Sequence, residues 1–303
     1  MKVLITGSSG LIGSAAIAFL IGGGDEVVRL VRPSSPSEAG LTGDIAWDPK
    51  AGIIEESRLE GLDAVIHLAG ENIGARRWTQ AQKQRLVDSR ITGTQLLSGS
   101  LARLMRPPKV LLSASAVGYY DDGREEWIDE GSSPGKGFLA DLVRQWEAAT
   151  TAAAQRGIRV VHMRFGMVLA PSGGVLARML TPFRLGLGGR IGSGRQYQSW
   201  IAMDDVLGAL RHLLEHAELS GAVNVTGPNP VTNSQFTKAL GRAISRPTFA
   251  PLPAFAARLA LGEMADELLL KGARVRPSKL LENGYSFLYP HLEGALRHLL
   301  RHG

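Results

Sequence analysis

The stretch Lys2-Val3-Leu4-Ile5-Thr6-Gly7-Ser8-Ser9-Gly10-Leu11-Ile12-Gly13 decides the fold. Its first residues read as a buried strand. Three glycines follow at GxxGxxG spacing, and an apolar helical pattern begins at once (Leu11, Ile12, Ala15, Ala16, Phe19, Leu20). Strand, glycine turn and helix in that order make a dinucleotide-binding unit. Gly7 permits the turn off the strand. Gly10 lets main-chain N–H groups approach a diphosphate with no Cβ between, and Gly13 lets the helix pack close to the sheet. The helix start presents unpaired N–H groups and partial positive charge to phosphate. Gly7, Ser8, Ser9, Gly10, Leu11, Ile12 and Gly13 are therefore the expected cofactor-binding residues.

Working outward, short apolar runs alternate with helical patterns through the first two thirds of the chain. Strands are expected over 26–31, 63–68, 110–113 and 159–163, and helices over 80–104 and 138–155. This is the pattern of an α/β fold: a Rossmann-type doubly wound parallel sheet. The run 63–68 is nearly all apolar, as in a strand buried on both faces. Beyond Arg164 the texture changes. A glycine-rich stretch over 168–194 is followed by helical patterns over 204–216, 234–244, 253–270 and 291–302, with one strand over 222–225. The expected division is a nucleotide-binding domain over 1–165, its sheet completed by later segments such as 200–226. A smaller C-terminal substrate lobe with a helical domain follows over 166–303, across a soft boundary.

The 303 residues include 37 glycines and no cysteine. Lacking cysteine, the chain has no disulfide, thiolate metal site or cysteine nucleophile, and no metal is expected. The formal net charge is +6, with basic residues scattered rather than clustered. That does not suggest a nucleic-acid surface. No apolar run reaches the roughly 18 residues of a membrane span, and the N-terminus passes straight into the glycine loop without a cleavage-site pattern. The expectation is a cytoplasmic protein whose partner is a small molecule, with homo-oligomerisation left open.

The second strand selects the cofactor. NAD is usually held by an acid at its end, which bonds the ribose hydroxyls. Here the strand ends Val31-Arg32-Pro33-Ser34-Ser35. Arg32 and Ser34 suit a 2′-phosphate, so NADP(H) is favoured over NAD(H); Arg29 is the second candidate. Leu68, Ala69 and Gly70 end the next buried strand in small residues that let the backbone pass beside the nucleotide. His67, inside that apolar run, reads as a packed core histidine.

Further motifs are Ala69-Gly70-Glu71-Asn72-Ile73, Arg77-Trp78, Asp88-Ser89-Arg90-Ile91, Ser113-Ala114-Ser115-Ala116-Val117-Gly118-Tyr119-Tyr120, Arg164-Phe165-Gly166-Met167-Val168-Leu169 and Gly194-Arg195-Gln196-Tyr197-Gln198-Ser199-Trp200-Ile201. Over nearly its whole length the chain resembles an extended short-chain dehydrogenase/reductase. More narrowly, it resembles the atypical "epimerase family protein" (YfcH-like) group, which carries a small C-terminal domain. The resemblance implies the Rossmann fold and NADP(H), and an oxidoreductase or epimerase acting on an unidentified small polar substrate.

One departure matters. Short-chain reductases use a Tyr-x-x-x-Lys pair to move a proton to or from the substrate oxygen. None of the five tyrosines here has lysine four residues on, and the helix expected to carry the pair reads Phe138-Leu139-Ala140-Asp141-Leu142-Val143-Arg144. Ser115 matches the family's substrate-oxygen serine. Tyr119 or Tyr120 stands as proton donor, unless both merely wall the pocket, and Lys136 is a candidate for a stand-in cation. Glu71, Asn72, Arg90, Gln196, Ser199 and Trp200 are expected to line the substrate pocket. Arg164 closes a buried strand and faces either the pocket or an acid. Asp204-Asp205 reads as a helix cap. The missing pair keeps a second class open, a non-catalytic NADPH-sensing or regulatory protein.

Overall fold

Val3, Leu4 and Ile5 have no solvent exposure, as a strand covered on both faces requires. In the computed structural model, which describes residues 1–32, 43–120 and 126–301, this strand lies inside an eight-stranded sheet. Along the chain run β1 (Lys2–Thr6), β2 (Glu26–Val31), β3 (Ile45–Asp48), β4 (Ile53–Ile54), β5 (Ala64–His67), β6 (Val110–Ala116), β7 (Trp127–Ile128), β8 (Arg159–Phe165), β9 (Met167–Leu169), β10 (Tyr197–Gln198), β11 (Trp200–Ala202), β12 (Gly221–Val225), β13 (Val231–Thr232) and β14 (Arg274–Val275). The large sheet has the order β12-β8-β6-β5-β1-β2-β3-β4. Its pairings are parallel except β3 with β4. The fold is thus an α/β, Rossmann-type one, as the glycine loop implied.

Alternation within the strands fills two layers. Val3, Ile5, Ile66 and Leu112 pack toward helices α1 (Leu11–Gly22) and, much later in the chain, Met203–Glu215. Leu4, Val65 and Leu111 pack toward α2 (Gln80–Arg103), through Leu97 and Leu101. A third cluster, with Leu176, Phe183, Trp200, Phe236, Leu240 and Leu296, forms the core of the C-terminal elements. The strand order reverses between β1 and β5, since β1 leads outward to β2 and the chain then returns to pair on its other side. Ligands of open α/β sheets bind at such a switch point, off the carboxyl ends of the strands. The glycine loop lies there.

Two expected helices are interrupted. The segment 138–155 divides into α3 (Phe138–Ala148) and α4 (Thr151–Gln155). The pattern over 253–270 breaks at Gly262, whose φ of +64° no helix tolerates, leaving helix Ala254–Leu261 before it. The strands β3, β4, β7, β9 to β11, β13 and β14 are two to four residues long, too short for alternation to show. Asp204 and Asp205 open helix Met203–Glu215 without a side-chain cap bond. Buried Asp205 instead accepts hydrogen bonds from the amides of Leu288 (2.7 Å) and Tyr289 (3.0 Å). The capping reading is thus corrected: a carboxylate fixes a distant loop. Among the described residues, no helix is long and apolar enough to cross a membrane.

A Cβ added at Gly13 would lie 2.2 Å from the Gly7 carbonyl oxygen. Gly13→Ala must push α1 away from the turn, an overpacking that costs about 1–3 kcal/mol. Chemical denaturation of Gly13→Ala against the parent should show that loss, while Gly22→Ala, which meets no atom within 4 Å, should be stable.

Candidate cofactor and substrate site

The turn at the head of β1 is held by contacts that admit no side chain. Gly7 has φ +66°, and a Cβ there would sit 2.7 Å from the Leu68 carbonyl carbon and 2.9 Å from the Ala69 nitrogen. The Gly10 amide donates to the Gly7 oxygen (2.9 Å), and the Ser14 hydroxyl donates to the Gly10 oxygen (2.9 Å). α1 then begins with no side-chain cap and no acid in its first turn. Its leading amides are left without the partner that a helix start ordinarily recruits. An anion suits this position, so the residues present fit a dinucleotide diphosphate.

The strand beside the loop is fixed by a chain of buried hydrogen bonds. The amides of Leu68 and Ala69 both donate to Thr6 Oγ1, at 3.1 Å each. With both lone pairs engaged, the Thr6 hydroxyl directs its proton to His67 Nδ1 (2.7 Å). His67 therefore carries its own proton on Nε2, which donates to Thr94 Oγ1 (2.8 Å), as does Trp146 Nε1 (3.1 Å). Complete burial pushes the His67 pKa down to about 4, because desolvation disfavours the charged imidazolium. His67 is a core histidine, as its apolar neighbours indicated, and it anchors the backbone that closes on Gly7.

The expected catalytic residues divide. Ser115 is buried at the end of β6, beside Arg164 on β8, and its hydroxyl donates to Glu147 Oε1 at 2.6 Å. Glu147 takes a two-point contact from Arg164, Nε to Oε1 at 2.7 Å and Nη2 to Oε2 at 2.8 Å. Arg164 Nη1 donates to the Tyr120 oxygen (2.6 Å), and the Tyr120 hydroxyl donates to Asn224 Oδ1 (3.0 Å). Burial tends to raise the carboxyl pKa of Glu147, but the Arg164 guanidinium prevails and holds it below the usual value. Tyr120 has 0% exposure and burial pushes its phenol up to about 12. It is a brace between β8 and β12, and its reading as a proton donor is corrected. Tyr119 is half-buried, forms no hydrogen bond through its hydroxyl among the described residues, and rests against the Arg164 guanidinium at 3.5 Å. Where the usual Tyr/Lys helix would act, α3 presents buried Leu139 and Val143, and Gly118 faces Leu139, to which its added Cβ would come within 3.4 Å.

Several expected pocket residues prove structural. Trp200 has no exposure and donates through Nε1 to the Asn229 oxygen (3.0 Å). Ser199 is buried, donating to the Ala273 oxygen (2.8 Å) and accepting from the Val275 amide (3.0 Å). Gln196 donates to the oxygens of Ile191 (3.1 Å) and Leu269 (2.8 Å), tying its loop to the C-terminal segment. Their polar groups tie the protein to itself; the pocket reading is corrected for Ser199 and Trp200, which are buried, while Gln196 is only partly buried. Asn72 is exposed, and its Oδ1 accepts from the Gly74 amide (3.0 Å). Arg90 leans over Trp146 (5.0 Å) and donates to the oxygens of Leu86 (3.2 Å) and Glu71 (3.0 Å). Its side chain lies 3.5 Å from the position of a Gly70 Cβ. Desolvation lowers its pKa to about 10, with the Glu71 charge opposing that shift. Arg29, the second candidate for a 2′-phosphate, is buried and paired with Asp44 (Nε to Oδ1 2.9 Å), which removes it from that role. Arg32 is exposed at the end of β2. Ser34 and Ser35 lie outside the described residues.

Residues 3–226 match the family model described as "NAD dependent epimerase/dehydratase family". The chain belongs to this family. Residues 252–299 match a domain of unknown function (DUF1731). The epimerase family protein Mb2239 of Mycobacterium bovis is 48% identical over 294 residues, covering 97% of this chain and 96% of that one. Human epimerase family protein SDR39U1 is 37% identical, covering 99% of this chain and all of that one. The crystal structure of the human protein (isoform 2) with NADPH superposes on this family member with a TM-score of 0.89, at 36% identity and covering 99% of each chain. The group expected from the motifs is thus the right one.

The sequence reading missed Thr6, Thr94, Glu147 and Asn224. Arg164 was the available signal, since an arginine in an apolar strand needs an acid, but its partner lies 17 residues away on α3.

Two outcomes follow from this family member's buried groups. Tyr120→Phe leaves Arg164 Nη1 and Asn224 Oδ1 short of a partner, and should cost about 1–3 kcal/mol in denaturant melts with NADPH affinity retained. Burial also lowers the pKa of His162 and His212. A histidine held neutral in the fold lets the unfolded chain bind more protons below about 6.5, so stability falls as pH drops from there toward the folded value. For His67, with a folded pKa of about 4, the loss at pH 5 is about 2 kcal/mol relative to pH 7. Denaturant melts of parent and His67→Asn at both pH values should show a shallower acid-side loss in the variant; equal slopes would contradict the neutral-histidine account.

Proposed function

We propose that this protein binds NADP(H) and acts as an oxidoreductase or epimerase on a small polar substrate, without a Tyr/Lys pair. The observation that carries the reading is the uncapped start of α1 above a turn where Gly7 and Gly13 admit no Cβ, in a chain closely similar to a human protein whose structure contains NADPH. In this reading the main-chain amides of residues 8–13 hold the diphosphate, Leu68, Ala69 and Gly70 wall the nucleotide, and Arg32 with Ser34 takes the 2′-phosphate in preference to a bare ribose. When bound, the nicotinamide supplies or accepts hydride.

The chain's own residues divide the remaining work. Tyr119 moves the substrate proton, because its phenol, unlike that of Tyr120, forms no hydrogen bond among the described residues. Ser115 orients the substrate side through its remaining acceptor capacity, with its proton committed to Glu147. Glu71, Asn72 and Arg90 supply the polar edge of the substrate pocket. The commitment of the Ser115 proton and of Arg164 to Glu147 and the apolar Leu139 and Val143 favour a second reading, in which the protein senses NADPH without turnover.

Following absorbance at 340 nm with NADPH and a panel of aldehydes, ketones and keto sugars separates the two. The enzyme reading expects oxidation that falls at least about tenfold in Tyr119→Phe with NADPH affinity unchanged. Tight NADPH binding with no turnover across the panel would establish the sensor instead. By calorimetry, Arg32→Ala should weaken NADPH by about tenfold or more and leave NADH nearly unaffected; equal losses would remove the 2′-phosphate assignment.

A further inference from the structure

Strand β14 pairs with β7 so that Arg274 lies opposite Trp127. The guanidinium of Arg274 is held between two aromatic rings, 3.9 Å from the Trp127 centroid and 5.1 Å from that of Tyr197. Its Nε is buried with no hydrogen-bond partner. Among the described residues it forms no ion pair, whereas buried Arg29 and Arg164 each have a carboxylate. An orphaned buried donor is costly to leave unpaired, and a stacked guanidinium keeps its in-plane edge free for a ligand. Arg276, two residues on, is exposed and has no ion pair among the described residues. Trp127 is 49% exposed, which leaves the sandwich open on one side.

The position connects with the site above. Ala273 and Val275, on either side of Arg274, pack in one cluster with Tyr120, Ile128 and the edge of Tyr119. Tyr197 belongs to the loop fixed by Gln196. The orphan guanidinium therefore borders the elements that carry Tyr119 and the C-terminal wall.

We propose that Arg274, clamped between Trp127 and Tyr197, is an oxyanion-binding subsite that takes the carboxylate or phosphate of a small-molecule substrate. The planar fork matches two oxygens of either group, and the rings keep it in one orientation. The word "substrate" rests on the function proposed above; the anion site does not.

The test uses the full-length protein without cofactor, following tryptophan emission during titration with inorganic phosphate and, separately, malonate, against sodium chloride at matched ionic strength. The expected result is a saturable change with at least one of the two anions, absent in chloride. Trp127→Phe removes the signal, which identifies the reporter. Arg274→Gln weakens the response about tenfold or more, and Arg274→Lys, which keeps the charge and loses the fork, weakens it less. A stronger response to phosphate or to malonate names the group the substrate carries. NADPH affinity unchanged in Arg274→Gln shows that the variant is folded. A response that does not saturate, or one that Arg274→Gln leaves intact, overturns the proposal. Anion binding without NADPH binding would sink the cofactor reading alone, and NADPH binding without anion binding would sink this one alone.

Discussion

The approach of Gly7 to the Leu68–Ala69 backbone is the constraint on which the rest depends. Two strands must come within contact distance just where one of them turns, and only a glycine at positive φ meets both conditions. Thr6 then bonds both amides across the gap, and His67 and Thr94 carry that fixation into α2. The result is a rigid floor beside the uncapped start of α1. Preorganisation of this kind is what lets main-chain amides hold a phosphate with little reordering on binding.

Neighbouring polar groups serve different ends. Ser115, Glu147, Arg164, Tyr120 and Asn224 form a buried, mutually satisfied network that locks β6, α3, β8 and β12 together. Buried ionic groups are tolerated when each has its partners, and here each does. Tyr119, one residue from Tyr120, keeps its hydroxyl outside that network. The two rings meet edge to face at 5.1 Å and both lie against the Arg164 guanidinium, so the two tyrosines differ in their hydroxyls rather than in their packing.

The parallel sheet, the glycine loop and the long helices were legible because each rests on a local pattern: short continuous apolar runs, GxxGxxG spacing, or an apolar stripe. His67 was legible for the same reason, since its immediate neighbours are all apolar. The site was less legible. Gln196, Ser199 and Trp200 look like pocket residues on a glycine-rich loop, yet their hydrogen bonds run to Ile191, Leu269, Ala273, Val275 and Asn229, contacts made by the folded C-terminal segment. Asp205 was mistaken for a cap because its true partners lie more than 80 residues on. Polarity in a sequence marks a need for partners; it does not say whether the protein or a ligand supplies them.

The central claim is that main-chain amides at the start of α1 hold the diphosphate of a nicotinamide dinucleotide. A crystal structure of the protein grown with NADPH tests it most directly. The account predicts diphosphate oxygens at about 3 Å from amides within the Gly7–Gly13 loop, with Gly7 and Leu68 unmoved. Nucleotide bound elsewhere, or a loop that stays empty at saturating NADPH, would contradict it.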